Sequence, residues 1–178
     1  MKLTKSINQL ELIFRNPKIT DAREMLKYIN TLSLERTYIR FQGEQLTLKE
    51  ETVYLKEQIK LIKKNKAVKI LVFHKTELIG IADVNMKDKT ECHLGLFGIT
   101  IKKEYRGQGI GKELMKLCLT EANKQLKGLK IIILEVFAPN KKAVKMYQGF
   151  GFKQYGLLPK GACTAKGYVN SLEMYKTV

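Results

Sequence analysis

The chain has 178 residues, 44% of them hydrophobic and 28% charged, which describes one compact domain over residues 1–178 and excludes tandem architectures, wholesale disorder and fibrous classes. Its longest apolar stretches, such as Ile131 to Leu134, fall far short of the ~20 residues of a membrane span, and Met1 to Lys5 leads into no apolar signal segment, so a cytoplasmic protein with no membrane partner is expected. Lys and Arg number 33 against 17 Asp and Glu, and the net +16 favours polyanionic partners at long range: nucleic acid, anionic lipid or a phosphorylated cofactor.

Gln9 to Phe14 alternates polar and apolar side chains as a half-buried strand does, and Pro17 closes it. Thr20 or Asp21 then caps a helix in which Ala22, Met25, Leu26, Ile29 and Leu32 fall at helical spacing, and the pattern fades into a polar loop over 33–40. Thr47 and Glu50 form a capping box that opens a second helix to about Lys64, with Val53, Leu55, Ile59 and Ile62 as its apolar positions. Ala67 to His74 and Leu78 to Val84 read as a hairpin across Lys75-Thr76-Glu77, and a third strand runs from Cys92 to Ile101. A helix follows the glycine cluster and ends near Leu126. Leu129 to Val136 is a continuous apolar strand of the kind buried on both faces. A short helix over 141–148 and strands over 152–157 and 168–175 complete an α+β pattern: a mixed, mostly antiparallel sheet flanked by helices.

Cys92, Cys118 and Cys163 stand far apart without a Cys-x-x-Cys pair, and with His74 and His93 they offer no ligand spacing, so free thiols and no metal are expected. Of the basic residues only Arg15, Arg23, Arg36, Arg40 and Arg106 are arginines, whereas readers of base edges lean on the planar arginine fork, which argues against nucleic acid as the partner. A solvated Lys-rich surface is the plain alternative.

Chemistry concentrates between Leu96 and Gly111: an apolar strand, a charged turn, then Arg106-Gly107-Gln108-Gly109-Ile110-Gly111 opening a helix. Glycines let the backbone approach a ligand closely, and the first N–H groups of a helix lack internal partners, so this segment is built to hold an anion. The spacing Gly-x-Gly-x-Gly departs from the Rossmann Gly-x-Gly-x-x-Gly, and the preceding strands read as antiparallel. Gly111 is followed by Lys112 and Glu113, so no Gly-Lys-Ser/Thr ends a P-loop.

These residues resemble the GCN5-related N-acetyltransferases, whose coenzyme motif is Arg/Gln-x-x-Gly-x-Gly/Ala at the start of the central helix; Arg106, Gly109 and Gly111 match it. The second half-motif, Asn-x-x-Ala-x-x-x-Tyr-x-x-x-Gly-Phe, is present as Asn140, Ala143, Tyr147, Gly151 and Phe152. The resemblance implies the acyl-CoA N-acyltransferase fold, with the strand before the glycine turn and the strand after the central helix splayed to admit the pantetheine arm of acetyl-CoA. It puts the backbone of Ile99, Thr100 and Ile101 on that arm, and Arg106, Gly107, Gln108, Gly109, Ile110, Gly111 and Lys112 at the pyrophosphate. Asn140 contacts the arm while capping its helix. Lys142, with Lys141 and Lys145, either meets the 3′-phosphate or stays solvated. Charge agrees, because residues 102–145 carry a net +7.

The implied activity is transfer of acetyl to a primary amine of a small amine, amino acid or peptide N-terminus, by direct attack in a ternary complex. Tyr147 is the candidate acid for the departing thiolate, its bland reading an aromatic packing one helix face. Glu35, in the polar loop, and Glu135, on the strand facing the splay, are the candidate bases, with a surface charge and an edge carboxylate as their plain alternatives. The tail from Lys166 to Met174 is similar to the closing strand of a subgroup that often carries an acid where Asn170 stands. Homodimers are common in the family, though no residue here points to one. Two other readings stay open: a nucleic-acid-binding basic module, and a catalytically silent coenzyme-binding protein.

Overall fold

The structure, a computed structural model, describes residues 1–178. Its strands are Lys2–Ile7 (β1), Leu10–Arg15 (β2), Ala67–His74 (β3), Glu77–Met86 (β4), Leu94–Ile101 (β5), Ile131–Phe137 (β6), Lys153–Thr164 (β7) and Gly167–Thr177 (β8). They form one sheet in the order β1-β2-β3-β4-β5-β6-β8-β7, antiparallel throughout except for the parallel pair β5–β6. The helices Ala22–Leu34 (α1), Leu48–Lys63 (α2), Ile110–Gln125 (α3) and Lys141–Gly149 (α4) flank it, which is the α+β arrangement expected. No helix is long and apolar enough to cross a membrane.

Alternation sorts the side chains between two layers. On one face Val68, Ile70 and Val72 of β3, Ala82 and Val84 of β4, Phe97 of β5 and Ile132, Leu134 and Val136 of β6 meet Leu114, Met115, Cys118 and Ala122 of α3 and Tyr147 of α4 in one continuous core. Each large apolar side chain enclosed there stabilises the fold by roughly 1.5–3 kcal/mol. On the other face Leu71, Phe73 and Leu78 pack against Ala22, Met25, Tyr28 and Leu32 of α1 and Leu55 of α2. This second layer covers β2 to β4, touches β5 through the Tyr28 hydroxyl, which donates to Thr100 Oγ1 at 2.9 Å, and leaves β6 to β8 bare.

Three sequence expectations need correction. Strand β1 carries no signal in the sequence: it pairs with β2 across Asn8 and Gln9, both at positive φ (48° and 65°), a turn made without the glycine that usually marks it. Helix α2 opens on the expected Thr47–Glu50 capping box, but Val53 faces solvent while Glu51 and Gln58 turn inward. Lys69 of β3 is buried beneath α2, where it donates to the Tyr54 hydroxyl and the Asp83 carboxylate and its charge favours the ionised form of Glu51. Burial works against its charge, yet Asp83 and Tyr54 outweigh that, and its pKa lies above the ordinary Lys range. Finally, β6 is covered on one face only: Leu134 and Val136 are buried, whereas Glu135 between them is exposed.

Candidate active site

Strands β5 and β6 pair only over Leu94–Ile131, Gly95–Ile132 and Leu96–Ile133, and then part. Beyond that point β5 stays paired with β4 to Ile101, and β6 with β8 to Phe137, so a wedge opens between them. The N–H of Lys102 donates to Ile79 across the β4 side, and antiparallel alternation therefore turns the backbone of Ile99 and Ile101 to the wedge.

The glycine turn closes the wide end. Gly107 and Gly109 sit at φ +78° and +83°, which other residues adopt only under strain, and a Cβ on either would project into open space. Glu113 is the first residue of the turn of α3 whose N–H finds a backbone acceptor, Gly109 O. The N–H groups of Gly107, Gln108, Gly109, Ile110, Gly111 and Lys112 have none within the protein. A run of free donors at a helix N-terminus is an anion site, with the helix dipole adding to it. The Ile110 side chain is in the core and Gln108 bonds the Glu104 carbonyl, so these two offer the site only their backbone. Asn8 Nδ2 donates to Gln108 O at 2.9 Å, so the β1–β2 hairpin braces the turn.

A cleft of about 560 Å³ occupies the wedge. Ile99, Thr100 and Ile101 form one wall, Arg106, Gly107, Gly109, Gly111 and Lys112 the cradle, and Asn140 and Lys142 the rim of α4. Asn140 Oδ1 accepts from Ala143 N–H at 3.3 Å, so it caps α4 as expected and still faces the cleft. These dimensions and donors fit a long phosphorylated thioester: an extended gap for an arm, free amides for a pyrophosphate, and a lysine at the mouth.

The proposed acid and bases are placed less simply. Tyr147 is on α4 but does not line the cleft; its ring lies edge-on to Phe97, 6.3 Å between centroids, and tilted against Phe152 at 6.1 Å. Its hydroxyl makes no hydrogen bond within the protein and is not sealed from solvent, and burial pushes its pKa up to about 12. Glu35 does not line the cleft; its Oε2 stands 2.7 Å from Nη1 of Arg106, which does, with no N–H aimed along that contact. Arg106 also donates from Nε to Ile101 O at 2.7 Å, so its side chain bridges the α1–α2 loop to the end of β5. Glu135 lies on the uncovered face of the sheet, directly opposite Glu173 of β8, and neither carboxylate is ion-paired.

A family model described as the acetyltransferase (GNAT) family matches residues 31–152. The chain belongs to that family. Among solved structures it is similar to an acetyltransferase of the GNAT family from Streptococcus pneumoniae, with a TM-score of 0.85 and 26% identity over 94% of this chain and 99% of that one. The fold is shared with yncA of Salmonella typhimurium, solved with acetyl-CoA, at a TM-score of 0.80 and 11% identity over 93% of each chain. Among curated proteins, a probable spermine N(1)-acetyltransferase of Bacillus subtilis subsp. natto is 30% identical over 92 residues, 49% of this chain. That match spans 60% of the relative's own length.

Sequence reasoning about this GNAT chain misses Thr37, Tyr38 and Ile39, which line the cleft from the α1–α2 loop, and Ala143 and Met146 of α4. Ala143 is part of the motif, and Met146 follows it by three residues on the same helix face. Thr37 to Ile39 carry no signal of their own, since a loop reaches its site through long-range contacts. Asn170 serves the sheet: its Oδ1 accepts from Lys160 N–H at 3.0 Å and supports the bulge of β7. Lys141 and Lys145 do not line the cleft.

Proposed function

We propose that this chain is an acetyl-CoA-dependent N-acetyltransferase that acylates a primary amine by direct attack within a ternary complex. The observation that carries the reading is the run of unsatisfied N–H groups from Gly107 to Lys112 at the open end of the β5–β6 wedge. Such a cradle holds a pyrophosphate through backbone alone, and the free backbone of Ile99 beside it receives an amide-bearing arm as a further strand does. Acetyl-CoA supplies the acetyl group as a thioester. The amine nitrogen forms the new C–N bond while the C–S bond breaks, and the sulfur leaves with its electron pair.

The chain's residues manage the protons. With a pKa near 12, Tyr147 stays protonated at neutral pH, and it serves better as a hydrogen-bond donor to developing negative charge than as a full proton donor to a thiolate of pKa about 8.5. Water then completes the transfer. Of the two candidate bases Glu35 is engaged by Arg106, whereas Glu135 is unpaired and solvent-exposed on the side from which an amine can enter, and we assign it the ammonium proton, received through water.

A small, multiply charged amine is the acceptor this face favours. Glu135 and Glu173 stand in register as adjacent like charges, an arrangement that destabilises a sheet unless a cation joins them. The likeness to a spermine acetyltransferase supports the same class. The deciding experiment follows thiol release from acetyl-CoA across a panel of polyamines, monoamines, amino acids and peptides. Turnover greatest with polyamines is expected. Absence both of turnover and of a thermal shift with the coenzyme would overturn the reading, and a shift without turnover would mark a silent coenzyme-binding protein.

A further inference from the structure

The connection between α1 and α2 is held by side-chain hydrogen bonds to backbone. Ser33, fully buried, donates from Oγ to Glu44 O at 2.6 Å and accepts from Gly43 N–H at 3.1 Å. Asn30 brackets Leu46, donating to its carbonyl at 3.0 Å and accepting from its N–H at 2.9 Å. These bonds fasten the second half of the loop to α1, whereas the first half, the part that lines the cleft, packs through Ile39 against the α1–α2 layer but receives no hydrogen bond from an α1 side chain.

Gln42 supplies the hydrogen bonds there. Its Nε2 lies 3.0 Å from Thr37 O, 2.8 Å from Ile39 O and 3.1 Å from Phe41 O, so one amide gathers the carbonyls of the cleft-lining segment. Its Oε1 accepts at 3.2 Å from Ala165 N–H, at the tip of the β7–β8 hairpin and 123 residues further along the chain. Only a side-chain amide offers donors and an acceptor from one group of this reach. The loop on one side of the open sheet face and the hairpin on the other thus meet at a single residue that does not itself line the cleft.

We infer that Gln42 is a positioning residue of the acceptor site, setting the shape of the Thr37–Ile39 wall and its spacing from the β7–β8 hairpin. The inference rests on the reading above, with the amine approaching across the open sheet face that the α1–α2 loop and the β7–β8 hairpin flank. It acts on the acceptor and not on the coenzyme, because the cradle amides lie on α3 and its preceding turn, which Gln42 does not touch.

Two substitutions test it. Gln42→Met keeps the length of the side chain and removes every donor and acceptor. Ala165→Pro removes only the N–H that Gln42 accepts, at the first central position of a two-residue turn, where Ala165 is not among the residues at positive φ and the preceding Thr164 is already in the strand. Using the amine that the parent chain acetylates best, Gln42→Met should raise the acceptor KM about 3- to 10-fold, the loss expected for partly exposed neutral hydrogen bonds. The acetyl-CoA KM and coenzyme thermal shift should stay within about twofold. Ala165→Pro should give a smaller rise of the same kind, and the double variant should be no worse than Gln42→Met alone. An unchanged acceptor KM in Gln42→Met, or both KM values rising together, overturns the assignment, and additive effects overturn the tie to the hairpin. Amide exchange distinguishes this from failure of the functional reading: even if no amine were turned over, Gln42→Met must speed exchange at Ala165, and unchanged exchange there removes the latch.

Discussion

On one face of the sheet α3 and α4 close over a continuous cluster of 23 buried residues, all apolar or aromatic; on the other, α1 and α2 enclose a cluster of eight and admit Lys69, Glu51 and Gln58 among them. The first layer runs from β2 to β8, whereas the second ends at β4 and leaves Glu135 and Glu173 uncovered. The proposed coenzyme cradle stands at the edge of the first layer, held by backbone geometry on a long helix whose buried face fixes it. The proposed acceptor side is made by the second layer, from a loop and a hairpin joined by side-chain bonds. A ligand common to a whole family can be met by main-chain amides, which any sequence with glycines in the right places provides. The partner that varies is met by side chains on elements that are cheaper to reshape.

If that division holds, the largest effect comes from the cradle. Gly109→Val should raise the acetyl-CoA KM about 10²-fold, since Cβ enters the space the coenzyme needs and the backbone at φ +83° resists any side chain; two lost bonds to a charged group suffice for that size. Gly111→Ala is the informative control. A Cβ there meets Ile101 Cγ1 at 3.6 Å and Met146 Sδ at 3.9 Å, ordinary contacts, so coenzyme affinity should change little. Equal tolerance at both positions would place the anion elsewhere.

Next is Tyr147→Phe, which retains the ring packed against Phe97 and Phe152 and should leave coenzyme affinity near the parent value. Turnover should fall about 10- to 100-fold, at or below the low end of general-acid contributions, because a thiolate is already a fair leaving group. The loss should shrink for an acyl donor with a more acidic thiol. Loss of binding and turnover together, or of neither, would make Tyr147 a packing residue.

The same division explains what is legible in the sequence. Cradle, capping residue and tyrosine all lie on α3 and α4 or in the turns that open them, within local motifs where turn chemistry and helical period act over a few residues, and the cleft residues from Ile99 to Lys142 can be named one by one. The failures fall on the other layer or at the chain start. Hydrophobicity assigns Val53 inward, yet the face that α2 turns to the sheet is the one that meets the buried Lys69, 16 residues further on in a neighbouring strand, through Tyr54 and the charge of Glu51. Glu135 reads as part of a buried strand because nothing local reveals that no helix lies over it. Thr37 to Ile39 are held at the cleft by the packing of Ile39 on the α1–α2 layer and by Gln42 with a hairpin distant in sequence.

On the acceptor side the effects should be smaller. Glu135→Gln and Glu173→Gln should each raise the KM for a polyamine about 3- to 10-fold, as exposed charges do, and the differences should fade as salt is raised to about 1 M. A monoamine should respond less. Glu135→Gln should in addition lower kcat at acidic and neutral pH and move the acid limb of the pH–rate profile, whereas Glu173→Gln should not. Identical profiles for the two variants would mean that Glu135 attracts the amine but takes no proton.

The smallest effect on catalysis is expected where the second layer is anchored. Arg15 grips Asp21 with both terminal nitrogens, 2.7 Å to each carboxylate oxygen, and Lys18 N–H donates to the same group at 2.6 Å, which fixes the start of α1. Burial alone would raise the Asp21 pKa, but the bonds from Arg15 and Lys18 outweigh it and hold it below the ordinary 3.8. A carboxylate whose folded pKa is depressed contributes stability that is present above its unfolded pKa and lost as pH falls through the folded one. Asp21→Asn should therefore cost ~1–2 kcal/mol at pH 7, with denaturant unfolding as the measure, while kcat and both KM values at 25 °C stay unchanged. As pH falls below about 4 the gap between parent and variant should begin to narrow, because Asp21 of the unfolded parent protonates first, and it should close once pH passes below the depressed folded value. A gap that stayed constant down to pH 2 would mean that shape, and not charge, sets the start of α1. A changed acceptor KM would mean that the second layer transmits strain from its anchor to the cleft wall, and that the side-chain bonds of the α1–α2 loop do not isolate the site from the helix that carries it.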